Sequence, residues 1–305
     1  MKSIYIYANA KAFHPETEAY KKYLHKRGIS VSSGNDLNEA EKHDAIIVYF
    51  GFIPFWKFRK IHRSKIIGEY HSLSTGRFPR MKNILKRILN VKCSKYIFLN
   101  EFVRKGYFFS NSCNYIYRPM GYDSDLIVHG MGKEYQYDFV YCGSLNRTGV
   151  IDIINRLTDL GYSILIIGNT KEEQKKIYSP LAEFAGKVGR EECYRLMALA
   201  RIGLNYTPDI YPYFMQDSTK VKEYLGAGLI VATNSYHWVN NFLLEHECEY
   251  FFLEDFFEFH KRKPEKIKIN ILDSNMVKLN SGISICKNQW EEVLNKSEFT
   301  RFIND

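Results

Sequence analysis

The sequence predicts an α/β fold made of two modules, each with a parallel β-sheet covered by helices on both faces. Its 305 residues suffice for two domains of about 150 residues each. Short apolar strands alternate with amphipathic helices almost from end to end, which is the pattern of covered parallel sheets. The alternation stops once, at an irregular glycine-containing stretch near residues 121–136, and then begins again.

The first module is predicted to span residues 1–122. It opens with the strand SIYIYA (3–8) and the helix PETEAYKKYLHKRG (15–28), which Gly28 closes. Further strands are expected at ISVS, DAIIVYFG, KIIGEY, KYIFLN and NYIYRP (29–32, 44–51, 65–70, 95–100 and 114–119). Polar or helical sequence separates them, so they are expected to pair in parallel.

The second module is predicted to span residues 137–285, after a linker at 123–136. Its strands are expected at YDFVYCGSL, YSILIIGN, RIGLNYTP and LIVATNS (137–145, 162–169, 201–208 and 229–235). The helices between them are expected at GVIDIINRLTDLG, REECYRLMALA and TKVKEYLGAG (149–161, 190–200 and 219–228). Residues 286–305 are predicted to form a C-terminal helix, which could cross back to the first module.

Composition narrows the class of protein. The chain is 45% hydrophobic and 25% charged, so it is expected to be globular rather than disordered. Its six cysteines include no C-x-x-C pair, which argues against a zinc or disulfide framework. The sequence shows neither a signal peptide nor an 18-residue apolar run, so we expect a cytoplasmic protein.

Charge is divided unevenly along the chain. Residues 1–120 hold 22 Lys and Arg against 8 Asp and Glu, whereas the whole chain has a formal net charge of +9. Residues 121–305 therefore have a small net negative charge. A basic half and an acidic half indicate two modules with different partners.

One helix start in the second module combines residue types that suit a nucleotide. Ser218 and Thr219 precede the helix, where free backbone N–H groups and the helix dipole stabilise an anion. Lys220 adds a full charge, and Glu223, one turn on, could accept hydrogen bonds from two vicinal hydroxyls. The turn from Gly143 to Arg147 would add a guanidinium, a good phosphate partner. Such caps also occur on many helices with no ligand.

Taken together, these segments resemble the donor-binding domain of GT-B glycosyltransferases, above all the family-4-like group that uses nucleotide sugars. The matching segments are 139–147, 184–206 and 218–232, and RPMGYD (118–123) resembles the element that closes the N-terminal domain. The resemblance covers roughly residues 137–245. It implies two Rossmann-like domains that face each other across a cleft, and a UDP-sugar as the expected donor.

The resemblance also implies roles for individual residues. Glu223 would bind the ribose, while Lys220, Arg147 and the N–H groups of Ser218 and Thr219 would bind the pyrophosphate. Gly143 and Ser144 would form the phosphate turn, and Lys187 and Val188 would contact the base. The sequence departs from the family at two positions. Met215 stands where many relatives have a second Glu, and Ser144 stands where many have an Arg.

Transfer is expected to need no metal or other cofactor, because the helix dipole and two cations can stabilise the leaving diphosphate. Asp123–Asp125 resembles a D-x-D metal motif, but it lies in the predicted linker. The candidate catalytic bases come from strand ends of the first module: Glu69, His71 and His14. Glu69 could instead be a member of a salt bridge, and a surface His usually has no catalytic role.

The first module also contains two segments, 55–65 and 77–92, in which cations alternate with apolar residues. A solvated face over core residues is one interpretation, and nucleic acid is a second partner to consider. No nucleic-acid-binding motif appears, so we favour an anionic membrane surface as partner. The residues expected to bind it, or an acceptor, are Lys57, Arg59, Lys60, Arg80, Lys82, Lys86 and Arg87.

These observations lead to one functional hypothesis and two alternatives. The hypothesis is a glycosyltransferase, hexosyltransferase-like and peripheral at the inner face of the membrane. It would act on a lipid-linked or polysaccharide acceptor. The resemblance suggests surface glycans: capsule, lipopolysaccharide O-antigen or exopolysaccharide. A catalytically silent GT-B partner subunit is the first alternative, and a nucleic-acid-binding protein is the second.

Overall fold

The computed structural model describes residues 1–8, 14–128, 135–147, 149–170, 179–262, 271 and 275–305. The chain divides into two compact units. Unit 1 comprises Met1–Gly121 and Asn288–Asp305, and unit 2 comprises Tyr122–Lys287. Each unit has its own helices and its own sheet dominated by parallel strands, so the predicted two-domain α/β fold is confirmed. No helix in the described ranges is long and apolar enough to cross a bilayer.

Unit 1 contains a six-stranded parallel sheet in the order β2-β1-β3-β4-β5-β6. The strands are β1 (Ser3–Tyr7), β2 (Ser30–Gly34), β3 (Ala45–Tyr49), β4 (Ile66–Tyr70), β5 (Lys95–Phe98) and β6 (Tyr115–Tyr117). The helices between them are α1 (Pro15–His25), α2 (Leu37–Glu41), α3 (Pro79–Leu89) and α4 (Glu101–Gly106). Every residue of β3 and β4 is buried, as expected for central strands covered on both faces.

The C-terminal segment completes unit 1. It forms two short helices, Trp290–Lys296 and Phe299–Asn304. Phe299 and Leu294 are fully buried in the same apolar cluster as Ile4 and Ile6 of β1. Tyr23 of α1 also donates a hydrogen bond of 2.8 Å to the Asn295 side chain. The two ends of the chain therefore share one core.

Unit 2 contains a seven-stranded sheet in the order β13-β12-β11-β10-β7-β8-β9. The strands are β7 (Tyr137–Cys142), β8 (Ile164–Ile167), β9 (Ala182–Gly186), β10 (Ala200–Asn205), β11 (Ile230–Thr233), β12 (Cys248–Phe252) and β13 (Lys278–Asn280). Only β13 is antiparallel to its neighbour. The helices are α5 (Val150–Asp159), α6 (Arg190–Met197), α7 (Thr219–Gly226), α8 (His237–Glu245) and α9 (Leu253–Lys261).

Strand β7 shows how the sheet of unit 2 builds a core on each face. Successive side chains of a strand point to opposite faces. Phe139 and Tyr141 accordingly pack in one cluster with α5, while Val140 and Cys142 pack in another with α7. Helices therefore cover both faces of this central strand.

The structure also refines the boundaries between elements. Tyr122 belongs to unit 2, and Ser124–Leu126 of the predicted linker forms a 3-10 turn in that unit. Residues 129–134 of the linker lie outside the described residues. The strands β9, β12 and β13 were not predicted from the sequence.

Candidate functional site

Helix α7 begins in unit 2 with a side-chain cap. The backbone of Ser218 is extended, and its Oγ accepts a hydrogen bond of 3.4 Å from the N–H of Val221. The same hydroxyl donates to Oδ1 of Asn205, at the end of β10, at 3.1 Å. This bond anchors the helix start to the carboxyl edge of the sheet. The N–H groups of Thr219 and Lys220 have no acceptor within the helix, because first-turn donors precede every helical carbonyl that could accept from them.

Lys220 points from α7 toward the end of β7. Its Nζ lies 4.5 Å from the centre of the Tyr141 ring and 3.5 Å from the hydroxyl of that tyrosine. Burial and the neighbouring charge of Arg147 lower the pKa of Lys220 to about 7. Two cations that raise each other's energy in this way form a site in which an anion is stabilised.

Glycines at the ends of β7 and β8 let two loops pass close together. Gly143 has a φ of 141°, and a Cβ on it would lie 3.3 Å from Nζ of Lys220. A Cβ on Gly168 would lie 2.1 Å from the carbonyl oxygen of Gly143, which no side chain could accommodate. We call Gly143, Arg147, Lys220 and the first turn of α7 the cationic cradle.

Arg147 is held at the rim of the cationic cradle. Its Nη1 donates at 3.2 Å to the carbonyl of Tyr206 and at 3.2 Å to Oγ1 of Thr207. Those two acceptors follow β10, whereas Arg147 follows β7. The guanidinium therefore bridges the loops that follow these two neighbouring strands. The side chain is half-buried, whereas Ser144 is exposed and its Oγ accepts from the N–H of Asn146 at 3.2 Å.

Glu223 lies one turn beyond Lys220 and is almost fully buried. Its Oε1 accepts hydrogen bonds from Nη2 of Arg190 at 3.0 Å and from the hydroxyl of Tyr194 at 3.2 Å. Burial raises the pKa of Glu223, while Arg190 opposes that rise. A carboxylate has about four acceptor positions, so two hydrogen bonds leave capacity for ligand hydroxyls.

The remaining residues predicted for the donor site lie around this helix start. Met215 ends a 3-10 turn, Tyr213–Met215, just before α7. Lys187 is exposed directly after β9, and Val188 is half-buried against the core cluster beneath α6. Asp217, by contrast, forms a buried ion pair of 2.8 Å with Lys222. It therefore stabilises the helix start from inside unit 2.

Unit 1 brings the three predicted bases into one cluster and adds a fourth residue, Glu16. Nδ1 of His14 and Nδ1 of His71 lie 3.1 Å and 3.2 Å from the same Oε1 of Glu16. Nε2 of His71 lies 2.7 Å from Oε1 of Glu69. We call these four residues the His–Glu cluster. Glu16 was not predicted from the sequence, although its position two residues after His14 is a usable signal.

The members of the His–Glu cluster differ in exposure. Glu69 is fully buried and is held by Arg118 and by the hydroxyl of Tyr20, the latter at 2.8 Å. Arg118 and His71 lower the pKa of Glu69 against the effect of burial. The side chains of His14 and His71 are 20% and 22% exposed. The histidines can therefore contact a ligand, whereas Glu69 contacts His71 from the buried side.

Burial also works against ionisation of Glu16, which is 1% exposed. The charge of His71, the hydrogen bond from His14 and the charge of Arg118 outweigh burial and lower the pKa of Glu16 to about 2. Both carboxylates of the cluster are thus ionised at neutral pH.

Helix α3 exposes an apolar stripe. Met81, Ile84, Leu85 and Ile88 follow the i, i+3, i+4, i+7 spacing of one helix face, yet they are 42–58% exposed. Within α3 only Asn83 is buried, and its Oδ1 accepts from the N–H of Ser74 at 2.9 Å. These apolar residues therefore do not serve the core of unit 1.

The basic residues predicted to bind the membrane or an acceptor differ in exposure. Arg59, Lys60, Arg80 and Lys82 are exposed. Lys57 is exposed too, but its Nζ donates to the Tyr7 hydroxyl at 3.2 Å. Lys86 and Arg87 are half-buried, and the Arg87 guanidinium lies 4.0 Å from the centre of the Phe109 ring. Three aromatic side chains close in sequence to Lys57, Arg59 and Lys60 are also exposed. They are Phe52, Phe55 and Trp56, and each is 52% exposed.

Some side chains of the described residues could bind a metal ion together. One such group, His14, Glu16 and His71, has all its potential ligand atoms within 4.8 Å of one another. Asp123 and Asp125 do not belong to such a group. The backbone N–H of Asp123 instead donates to the Tyr194 hydroxyl at 3.4 Å.

Comparison with known proteins identifies the fold. No family model and no curated protein sequence matches the chain. Among solved structures, it is similar to AviGT4, a glycosyltransferase involved in avilamycin A biosynthesis, with a TM-score of 0.62 and 12% identity over 100% of this chain and 97% of the other. It is also similar to sucrose-phosphate synthase from Thermosynechococcus elongatus, with a TM-score of 0.63 and 11% identity over the same shares. The expected GT-B glycosyltransferase-like fold is thereby confirmed.

Proposed function

We propose that this protein is a glycosyltransferase that takes a sugar from a nucleotide-sugar donor, with UDP as the expected nucleotide. The cationic cradle carries this proposal. It combines two close cations with a capped helix start, and the Glu223 carboxylate lies one turn further along α7. A diphosphate needs the first two features and a ribose needs the third. The GT-B fold, shared with two sugar-transferring enzymes in the comparison, agrees with this assignment.

In the proposed reaction, the bond between the sugar's anomeric carbon and the diphosphate oxygen breaks, and negative charge develops on the leaving diphosphate. Lys220, Arg147 and the N–H groups of Thr219 and Lys220 would stabilise that charge. These donors are already oriented by the Tyr206 and Thr207 contacts and by the Ser218 cap, so little reorganisation is needed. We propose that no metal is needed at the diphosphate.

The acceptor hydroxyl would form the new bond to the anomeric carbon and lose its proton. We propose that an imidazole nitrogen of His71 or His14 takes this proton, because both rings are partly exposed and lie at the carboxyl edge of the unit 1 sheet. Glu69 would orient His71 through the 2.7 Å contact to Nε2. Unit 1 would accordingly bind the acceptor, and unit 2 the donor.

We further propose that the acceptor is lipid-linked, as in surface-glycan synthesis, and that unit 1 binds the inner face of an anionic membrane. The exposed stripe of α3 supports this, because an amphipathic helix with unburied apolar residues and flanking cations suits a lipid interface. Each basic residue near such a surface contributes roughly 1 kcal/mol.

Sedimentation with anionic vesicles tests the membrane proposal. Leu85→Ser with Ile88→Ser should release the protein from the vesicles, and so should Arg80→Glu with Lys82→Glu. Leu244→Ser is the matched control, because Leu244 is 69% exposed but lies in unit 2. Equal sedimentation of all variants would remove membrane binding from the proposal.

A thermal-shift series with UDP-, GDP-, dTDP- and CMP-sugars tests the donor site. A nucleotide sugar at a hundredfold excess over its Kd should stabilise the protein by about 2.7 kcal/mol. Lys220→Ala and Glu223→Ala should abolish the response, and the exposed Lys261→Ala should keep it. No response to any of the four would overturn the donor assignment. Binding without transfer to any acceptor would instead favour a silent partner subunit, a role suggested by Met215.

A further inference from the structure

The His–Glu cluster contains a contact that ordinary hydrogen bonding leaves incomplete. Nε2 of His71 lies 2.7 Å from the Glu69 carboxylate, so this nitrogen carries a proton and donates it. In a neutral imidazole the other nitrogen, Nδ1, then has only a lone pair. That lone pair lies 3.2 Å from Oε1 of Glu16. Two acceptors at this distance attract only when a proton or a cation lies between them.

Charge counting leads to the same requirement. Glu16 and Glu69 are both buried, and Arg118 compensates one of the two negative charges. Neutral histidines would therefore leave one net negative charge inside unit 1. One additional proton would neutralise this charge, and a bound divalent cation would change it to +1.

We propose that His14, Glu16 and His71 bind one divalent transition-metal ion through their Nδ1, Oε1 and Nδ1 atoms. Two imidazoles and a carboxylate form a ligand set that zinc accepts, with the fourth position left to water or substrate oxygen. In a tetrahedral zinc site neighbouring donor atoms lie about 3.3 Å apart, given Zn–N bonds of about 2.0 Å. The two N–O distances, 3.1 Å and 3.2 Å, match this spacing, and all three donor atoms lie within 4.8 Å of one another.

The surroundings of the three ligands support a metal site over a chance cluster. A metal-bound histidine usually donates its second ring N–H to a carboxylate, as His71 does to Glu69. Glu69 is itself fixed by Arg118 and Tyr20. The Tyr49 ring lies 4.8 Å from the His14 ring and 4.9 Å from the His71 ring, centre to centre, and so limits the rotation of both. Ligands held in this way lose little freedom when they bind an ion.

The proposed ion lies in unit 1 and is separate from the proposed diphosphate site. Its open position would face the partly exposed side of both histidines. If the chain is a glycosyltransferase, His14 and His71 would then act as ligands instead of as bases, and an acceptor hydroxyl bound to the ion would lose its proton to solvent more readily, as water does on zinc. Metal binding itself needs neither donor nor acceptor, so its failure would leave the donor assignment intact.

Metal titration of the tag-free full chain tests the proposal. Chelator-treated protein should bind one Zn²⁺ per chain, measured by competition with a chromophoric chelator and by metal content. Co²⁺ should add the visible absorption of a tetrahedral site, while Mg²⁺ should not compete, since it prefers oxygen ligands. His14→Ala and His71→Ala should each remove the Co²⁺ spectrum. Glu69→Gln should weaken binding by about 10–100-fold, as loss of an outer-shell carboxylate does.

Control variants separate this site from other zinc ligands. His62→Ala changes an exposed histidine of unit 1 and should bind as the wild type does. Cys193→Ser should also keep the ion, although Cys193 and Cys142 have sulfur atoms 3.9 Å apart in unit 2. Thermal unfolding establishes that each variant is folded, and His14→Ala removes only a partly exposed ring. Absence of stoichiometric binding, or binding that survives both His variants, would overturn the proposal and leave protonated histidines in its place.

Discussion

The lowered pKa of Lys220 predicts that donor affinity depends steeply on pH. The amine of the free protein has a pKa of about 7, because it is buried next to Arg147. A nucleotide-sugar diphosphate binds the protonated amine, and its own charge does not change near neutral pH. Above pH 7 binding must therefore also recruit a proton, so affinity falls as pH rises.

The magnitude follows from proton linkage. The protonated fraction falls about tenfold per pH unit once the pH is well above the pKa. Between about pH 6 and about pH 8.5 the apparent Kd should rise about 30-fold, equivalent to about 2 kcal/mol. Below pH 6 the lysine is already charged, so the curve should become flat.

Calorimetric titration with the nucleotide sugar found in the thermal-shift series would measure this curve. Lys220→Arg keeps a charge that does not titrate, so its affinity should be nearly constant with pH. Lys220→Met should bind weakly, again with little pH dependence. A wild-type curve that is flat, or a Lys220→Arg curve as steep as the wild type, would refute the reasoning.

Three further predictions concern stability and specificity. Gly168→Ala should lower the free energy of unfolding by about 1–3 kcal/mol and weaken donor binding, because its Cβ would lie 2.1 Å from the Gly143 carbonyl; urea unfolding would measure it. Arg118→Met should cost about 3–5 kcal/mol by leaving Glu69 buried without its partner, and adding Glu69→Gln should recover part of that loss. Arg190→Met should weaken binding of nucleotide sugars by leaving Glu223 without its guanidinium partner, whereas Arg195→Met, on an exposed part of α6, should not.

The fold could be predicted because its central strands are short β-branched runs between amphipathic helices. The strand AIIVY, β3, is an example, since every residue in it is buried. The strands that sequence reasoning missed lie away from such signals. In β9, AEFAG, several side chains are only half-buried, and CEYFF, β12, continues directly into the apolar helix α9.

The candidate sites were predictable only in part, and the residue roles remain predictions. The sequence alone shows where helices start and where glycines and histidines follow strands. Glu16 and Arg190 are not, because each acts through a residue far away in the chain: His71 for Glu16 and Glu223 for Arg190. The sequence left open whether the apolar residues of α3 face the core or a membrane surface, since their spacing is also that of an ordinary core-facing helix.

The shared core of the two chain ends has a consequence for synthesis in the cell. Strand β1 is translated before unit 2, yet Leu294 and Phe299 can fill their part of its cluster only after all of unit 2 has been translated. Unit 1 therefore lacks part of its core until residues 288–305 have been made. Truncation before residue 288 should accordingly destabilise unit 1, whereas unit 2 would keep both of its own apolar clusters.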